Sequence, residues 1–387
     1  MKYHLLLILS VALAAVPCVQ ASEPAVLYRV STTSEAVFVN IVTNLFSWTN
    51  GVPGEAFEIQ CSTGIDVPWQ PVDSGLNMDG ETTRTIRKPK SPIPVHASIA
   101  GMTPIEMGDS LNEGPTNELP VHSVNSRVVF IDRYEVSCSL FRDALQWAYD
   151  SGRITVTTSA VLNTHGDVRR LLPLNDPGAP ILFTNGNFEI KPGFEDKPAT
   201  HVTWYGALAY CNFRSEISGQ PICINITNWT CNFNVAGFRL PTESEWEKAA
   251  RGGIPGQRFP WAGESTNLWD DIDGSRANFW ASGDDHETTN DLYLTPVGYY
   301  ENNPNPINLF DLAGNVYEWC SDWYDADWYS NPLASANNTI GPTSGLARVV
   351  RGGAWCDTPD LLRTTHRSSS LPHAALPFIG FRTVRNF

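Results

Sequence analysis

The chain has 387 residues, a formal net charge of −15 and only 17% charged residues. So large a negative excess repels nucleic acid and anionic lipid, which excludes a general nucleic-acid binder, while it suits solubility or cation binding. With 13 Trp, 29 Gly and 28 Pro, the composition points to a loop-rich, aromatic-cored fold rather than a helical bundle or a disordered chain.

In chain order, the first feature is a leader. Lys2 is followed by an apolar run from Leu5 to Val16, too short to span a bilayer, and then by small residues ending at Ala21. This predicts a signal peptide over 1–21, a product starting near Ser22, and a secreted or periplasmic location. Pro17 directly before Cys18 argues against a lipidated cysteine. No later segment is long and apolar enough to cross a membrane. Removing Cys18 leaves an odd number of cysteines: Cys61, Cys138, Cys211, Cys223, Cys231, Cys320 and Cys356. At least one thiol is therefore unpaired in an oxidising compartment. Cys223 and Cys231 flank the short polar stretch from Ile224 to Thr230 and form the best local disulfide candidate.

Residues 22–95 read as short strands broken by turns. The stretches from Val37 to Val42, Leu45 to Trp48 and Glu55 to Gln60 are apolar or alternating, and Thr49-Asn50-Gly51 is a turn signal. This is the pattern of a small β-sandwich-like, fibronectin-like module, with Trp48 and Trp69 expected at its centre. The Pro- and Lys-rich run from Arg87 to Pro94 reads as a linker.

Beyond residue 96 the helical signals are few and clear. Ser137 precedes a helix through Phe141, Leu145 and Trp147, stopped at Gly152. Thr203 precedes a second, carrying Ala207, Leu208 and Cys211. Thr242-Glu243-Ser244-Glu245 is a capping box before Trp246, with Gly252-Gly253 as the stop. The rest is short strands and long Gly/Pro/Asn loops, and loops of that length in a compact domain are usually functional or tied by metals or disulfides.

Four stretches in order resemble the sulfatase-modifying factor, or formylglycine-generating enzyme, family. They are Asn117–His122 with Phe130–Ser137; Pro198–Ala207 running on through Cys211-Asn212; Gly237–Glu247; and Asn308–Trp319 with Arg351–Trp355 and Gly380-Phe381-Arg382. The resemblance covers residues 96–387 and implies an α+β, irregular, loop-rich C-type-lectin-like fold behind the small β module. It also implies oxidation of a sulfatase cysteine at a copper(I) ion held by two thiolates, ligands whose softness suits that ion. Anchoring on Arg367 places that pair at Pro359 and Thr364, and the interval from Gly353 to Gly380 holds a single thiol, Cys356. The expectation is therefore a domain with no catalytic residue of the family kind and no copper. Cys320 and Cys356, each just after a Trp-bearing strand, form a second candidate disulfide.

By the same resemblance, calcium sites fall on Asp311, Gly314, Val316 and Glu318, and on Asn278, Phe279, Asp291 and Tyr293. Hydrogen-bonded turn capping by Asp311 and Glu318 is the alternative. Trp204, Trp246, Trp319, Trp323 and Trp355 read as core, and Arg239, Arg351 and Arg382 as partners of Glu245, Glu247 or backbone carbonyls. His122, His201, His366 and His373 lack metal-triad spacing. There is no C-x-x-C, phosphate loop, G-x-S-x-G or H-E-x-x-H. Three functions remain: a peptide- or glycan-binding module on an oxidase-like fold, an oxidase with an atypical metal site such as Cys320 with Cys356, and a structural or adhesive protein.

Overall fold

The computed structural model describes residues 107–111, 114–261, 272–283, 294–300 and 305–386 in full, and elsewhere the backbone of individual strands. The chain divides into two units, Met1–Ile93 and Pro94–Phe387.

The first unit contains two antiparallel sheets. Tyr3–Leu7, Leu27–Thr32, Ala56–Ser62 and Gln70–Leu76 form one, in that spatial order; Phe38–Val42, Leu45–Thr49 and Glu81–Arg84 form the other. The strands read from the apolar alternation at residues 37–60 are therefore present. Tyr3–Leu7, inside the expected leader, pairs with Leu27–Thr32. The side chains of Trp48 and Trp69, the rest of the leader and the linker from Arg87 to Ile93 lie outside the described residues.

The second unit is α+β and loop-rich. Its first helix, α1 (Cys138–Asp150), is capped by Ser137, whose hydroxyl accepts from Leu140 N. It buries Cys138, Phe141, Ala144, Leu145 and Ala148, the i, i+3, i+4 stripe that sinks one helix face. Thr203 caps α2 (Trp204–Ile217) by accepting from Gly206 N. Ten of its 14 residues are buried, so α2 is covered on several sides rather than lying on the surface. The nine-residue α3 (Glu243–Arg251) begins in the full capping box of Thr242 with Glu245 and stops at Gly252, whose φ of 60° is the left-handed turn that favours glycine.

Two four-stranded sheets hold these helices. One has the order Ser368–Ser370, Arg348–Arg351, Tyr317–Trp323, Ile379–Gly380, the last pairing being parallel. The other has the order Phe238–Arg239, Val384–Asn386, Val129–Ile131, Ala97–Ser98. The main core gathers Phe141, Trp204, Tyr210, Trp319 and Phe381 between α1, α2 and the first sheet. A second cluster packs Trp246, Val349, Leu312 and Cys320 beneath α3. Trp204, Trp246 and Trp319 are thus core residues, whereas Trp323 and Trp355 are only half-buried.

Candidate functional site

The capping box forces α3 to begin among acids: Glu243, Glu245 and Glu247 all lie in its first two turns and all are buried. Each is met by arginine. Arg239 binds Glu245 through two nitrogens at 2.7 and 2.8 Å. Arg351 bridges Glu243 at 2.9 Å and Glu247 at 2.7 Å, Arg367 clasps Glu243, and Arg251 returns to Glu247 from one turn on. Burial of these charges is tolerable because the pairs are short and bidentate. The pairings expected for Arg239 and Arg351 are present, and they are structural. Asp322 also lies here, accepting from Glu243 N at 2.9 Å. Burial, then the nearby Glu243 charge, push its carboxyl up to about 7.

The loop from Asn308 to Glu318 is the second charged neighbourhood. Asn308, Asp311, Gly314 and Asn315 all have positive φ, so the backbone turns tightly and repeatedly. At Gly314 a Cβ would stand 2.1 Å from the Asn278 carbonyl, so only glycine admits this approach. Glu318 is fully buried, accepting from Arg382 at 2.7–2.9 Å and from Trp246 Nε1 at 2.8 Å. Arg382 also donates to the carbonyls of Asp132, Arg133 and Phe310. Asp311 accepts from Gly298 N at 2.5 Å.

Sequence reasoning missed two members of this neighbourhood. Asn315 donates to Glu135 at 2.9 Å, accepts from Thr295 N at 3.1 Å, and bonds Asn278 and Trp355 through its backbone. Glu135 is buried, and its Oε1 has no hydrogen-bond partner among the described residues. Burial first, then the Asp311 and Glu318 charges, hold the Glu135 carboxyl well above the usual carboxylate range. Glu135 was legible only as part of the Tyr134-Glu135-Val136-Ser137 motif; nothing in its spacing tied it to residues 180 positions later.

Residues 88–387 match the sulfatase-modifying factor enzyme 1-like domain. The chain belongs to that family. The formylglycine-generating enzyme of Streptomyces coelicolor is 32% identical over 300 residues, covering 72% of this chain and 86% of the enzyme. The serine/threonine-protein kinase Pkn1 of Chlamydia trachomatis is 32% identical over 332 residues, covering 85% of this chain and 45% of the kinase. The chain thus spans less than half the length of the chlamydial kinases it matches. Among solved structures, Treponema denticola variable protein 1 superposes with a TM-score of 0.52 at 23% identity, over 76% of this chain and 95% of that one. That likeness establishes the fold.

In this sulfatase-modifying-factor domain, the positions where the family resemblance puts a thiolate pair are built into the scaffold. Pro359 is buried and opens the 3-10 turn Pro359–Leu362. Thr364 is buried; its N–H donates to the Arg258 carbonyl, its hydroxyl to the Gln257 carbonyl, and its own carbonyl accepts from Arg351. Cys356 is exposed, and burial of its sulfur together with the Asp357 charge pushes the thiol up to about 11.

The six described cysteines are free thiols. Cys320 lies inside the cluster with Trp246 and Val349 while Cys356 is exposed, so the expected Cys320–Cys356 disulfide is not made. Tyr317–Trp323 is a core strand, and alternation along it buries Cys320 against α3, away from solvent. Cys223 and Cys231 are also unbonded but adjacent, their thiols within hydrogen-bonding reach. Of the second expected calcium set, Asp291 and Tyr293 lie outside the described residues. Asn278 uses its carbonyl to accept from Asn315 N at 2.8 Å, and the Phe279 ring packs in a cluster with Phe259 and Trp261.

An open groove of about 780 Å³ lies elsewhere. Its wall carries the amides of Asn225, Asn232, Asn234 and Asn338, with Arg127 and Phe233 beside them.

Proposed function

We propose that this is an exported sulfatase-modifying-factor family protein that binds a peptide or glycan and performs no copper oxidation. The observation that carries the reading is the fate of Pro359 and Thr364. A tertiary amide and a hydroxyl are poor donors for copper(I); Pro359 opens a 3-10 turn, and Thr364 is tied to Gln257 and Arg351. Cys356 alone cannot supply the paired soft ligands, so the residues present do not fit copper and no step is routed through it. Export is supported by Lys2, the apolar run after it and the small residues to Ala21. Cleavage there would remove the Tyr3–Leu7 strand and leave Leu27–Thr32 at a sheet edge.

We propose calcium as a cation for this loop, although among the described residues no three His, Cys, Asp or Glu side chains are grouped to hold a metal ion. Glu135 is buried beside the Asp311 and Glu318 charges, and its Oε1 has no hydrogen-bond partner among the described residues. A hard divalent cation takes six to eight oxygens and cancels such an acidic excess. Asp311 and Glu318 would supply carboxylate oxygens and Gly314 and Val316 carbonyls, with Glu135 a further acid facing the site. The cation would hold the loop's strained backbone in place.

The amide-lined groove supports the binding reading, because side-chain amides donate and accept at once. The test is to screen the full chain on glycan and peptide arrays, then titrate a hit against Asn232→Ala. A saturable ligand weakened tenfold or more by that substitution supports the reading. Absence of any saturable ligand on both arrays favours the structural or adhesive alternative.

A further inference from the structure

Cys223 and Cys231 stand where the paired strands Ile224–Asn225 and Thr230–Cys231 close a short hairpin, and both line the groove. Cys223 is buried and donates its S–H to the Phe238 carbonyl at 3.0 Å; Cys231 is half-buried. The hydrogen bond between the two thiols eases loss of the first proton, at Cys223, and holds back the second, at Cys231. The buried Arg239 guanidinium adds a positive charge that favours a thiolate at either sulfur.

The other described cysteines lack this setting. Cys138, Cys211 and Cys320 are buried, and burial pushes their thiols up. Cys356 is exposed and has no second thiol beside it, its described neighbours being Asp357 and Tyr317. Thiol–disulfide exchange needs a thiolate, access and a second sulfur to resolve the mixed disulfide. Only the hairpin pair joins all three among the described residues.

We propose that Cys223 and Cys231 form a reversible dithiol–disulfide couple in the groove wall, oxidised by small-molecule disulfides. One protein thiolate attacks a sulfur of the small disulfide, forming a mixed disulfide and expelling one small thiolate. The second protein sulfur, its proton lost to solvent, attacks the first and displaces the other small thiolate. Two protein S–H groups and one small S–S bond become one protein S–S bond and two small thiols, so electrons and protons balance. Closing the bond ties the two strands together beside Asn225, Asn232 and Asn234 and fixes that wall of the groove. The couple does not depend on the groove's ligand, so its test is independent of the binding assay.

The experiment incubates the full native chain in glutathione buffers of graded redox ratio, quenches by alkylation and maps cysteines by peptide mass spectrometry. The expected result is one transition, with Cys223 and Cys231 passing together from alkylated to linked over roughly a hundredfold change in ratio, as for a two-electron couple. Cys356→Ser, at an exposed position, should leave that transition in place. Cys231→Ser should instead trap Cys223 as a stable glutathione adduct. Retention of both thiols across the whole range, or a bond that excess reduced glutathione cannot open in the native protein, overturns the proposal. Glutathione found only on Cys356 in the native chain overturns it as well.

Discussion

Two buried acidic neighbourhoods meet at Trp246, which belongs to α3 and donates to Glu318. They are made of the same residue types and balanced differently. Around α3, Glu243, Glu245 and Glu247 face Arg239, Arg251, Arg351 and Arg367, so each of these three acids has a guanidinium. Around the loop, Arg382 pairs with Glu318, and burial, then the Asp311 and Glu318 charges, hold the Glu135 carboxyl well above the usual carboxylate range. A matched network is complete in itself and serves the scaffold. The loop neighbourhood differs in Glu135, whose buried Oε1 has no hydrogen-bond partner among the described residues.

The comparison breaks first at Arg351. Arg351→Ala leaves Glu243 and Glu247 buried with fewer partners, and removal of one member of such a network costs roughly 3–5 kcal/mol. Chemical denaturation should record a loss of that size; a loss below about 1 kcal/mol would mean that the α3 network is not what holds this region.

Asp322 sharpens the matched side through pH. Its folded carboxyl, at about 7, lies above its unfolded value, so the fold favours the protonated form. Its contribution is fully present below the unfolded value and is lost as pH rises toward 7. Asp322→Asn keeps an oxygen for Glu243 N and should flatten the fall in stability between about pH 4 and 7, worth at most about 4 kcal/mol at roughly 1.4 kcal/mol per pKa unit. An unchanged slope in the variant would assign that fall to other groups.

Calcium addresses the loop. Saturating calcium should raise the melting temperature of the second unit, equivalent to about 2.7 kcal/mol at a hundred times the dissociation constant. Asp311→Asn should abolish most of that gain. Identical melting curves in calcium and in chelator would retire the cation reading and leave Asp311 as a turn cap. The smallest effect is expected at Cys356→Ser, an exposed site where stability should move by less than about 0.5 kcal/mol.

Much of this was legible in the chain. The three helix starts followed from Ser137, Thr203 and the Thr242 capping box, because a cap is a local device whose residues sit within four positions of one another. The pairing of Arg239 with Glu245 was legible for the same reason. Arg351 reaches Glu247 across 104 positions and Arg382 reaches Glu318 across 64, outside the reach of any spacing rule, although Glu247 and backbone carbonyls are among the partners the motifs suggest. The turn at Asp311 could be read, but Glu135 and Asn315 could not be placed beside it, since only the folded backbone brings residues 135, 278, 295 and 315 together. The Cys320–Cys356 pairing failed on alternation: following a Trp in sequence says nothing about which face of its strand the thiol takes.

The most direct test of the account is turnover. The full chain, loaded with copper, is incubated with a Cys-x-Pro-x-Arg peptide, oxygen and a reductant, and the peptide is analysed by mass spectrometry for the aldehyde. The account predicts no aldehyde above a protein-free control, because the family resemblance puts the two soft donors at Pro359 and Thr364, neither of which can supply one. Multiple turnovers that vanish in Cys356→Ala would contradict it and establish an oxidase built on a different metal site.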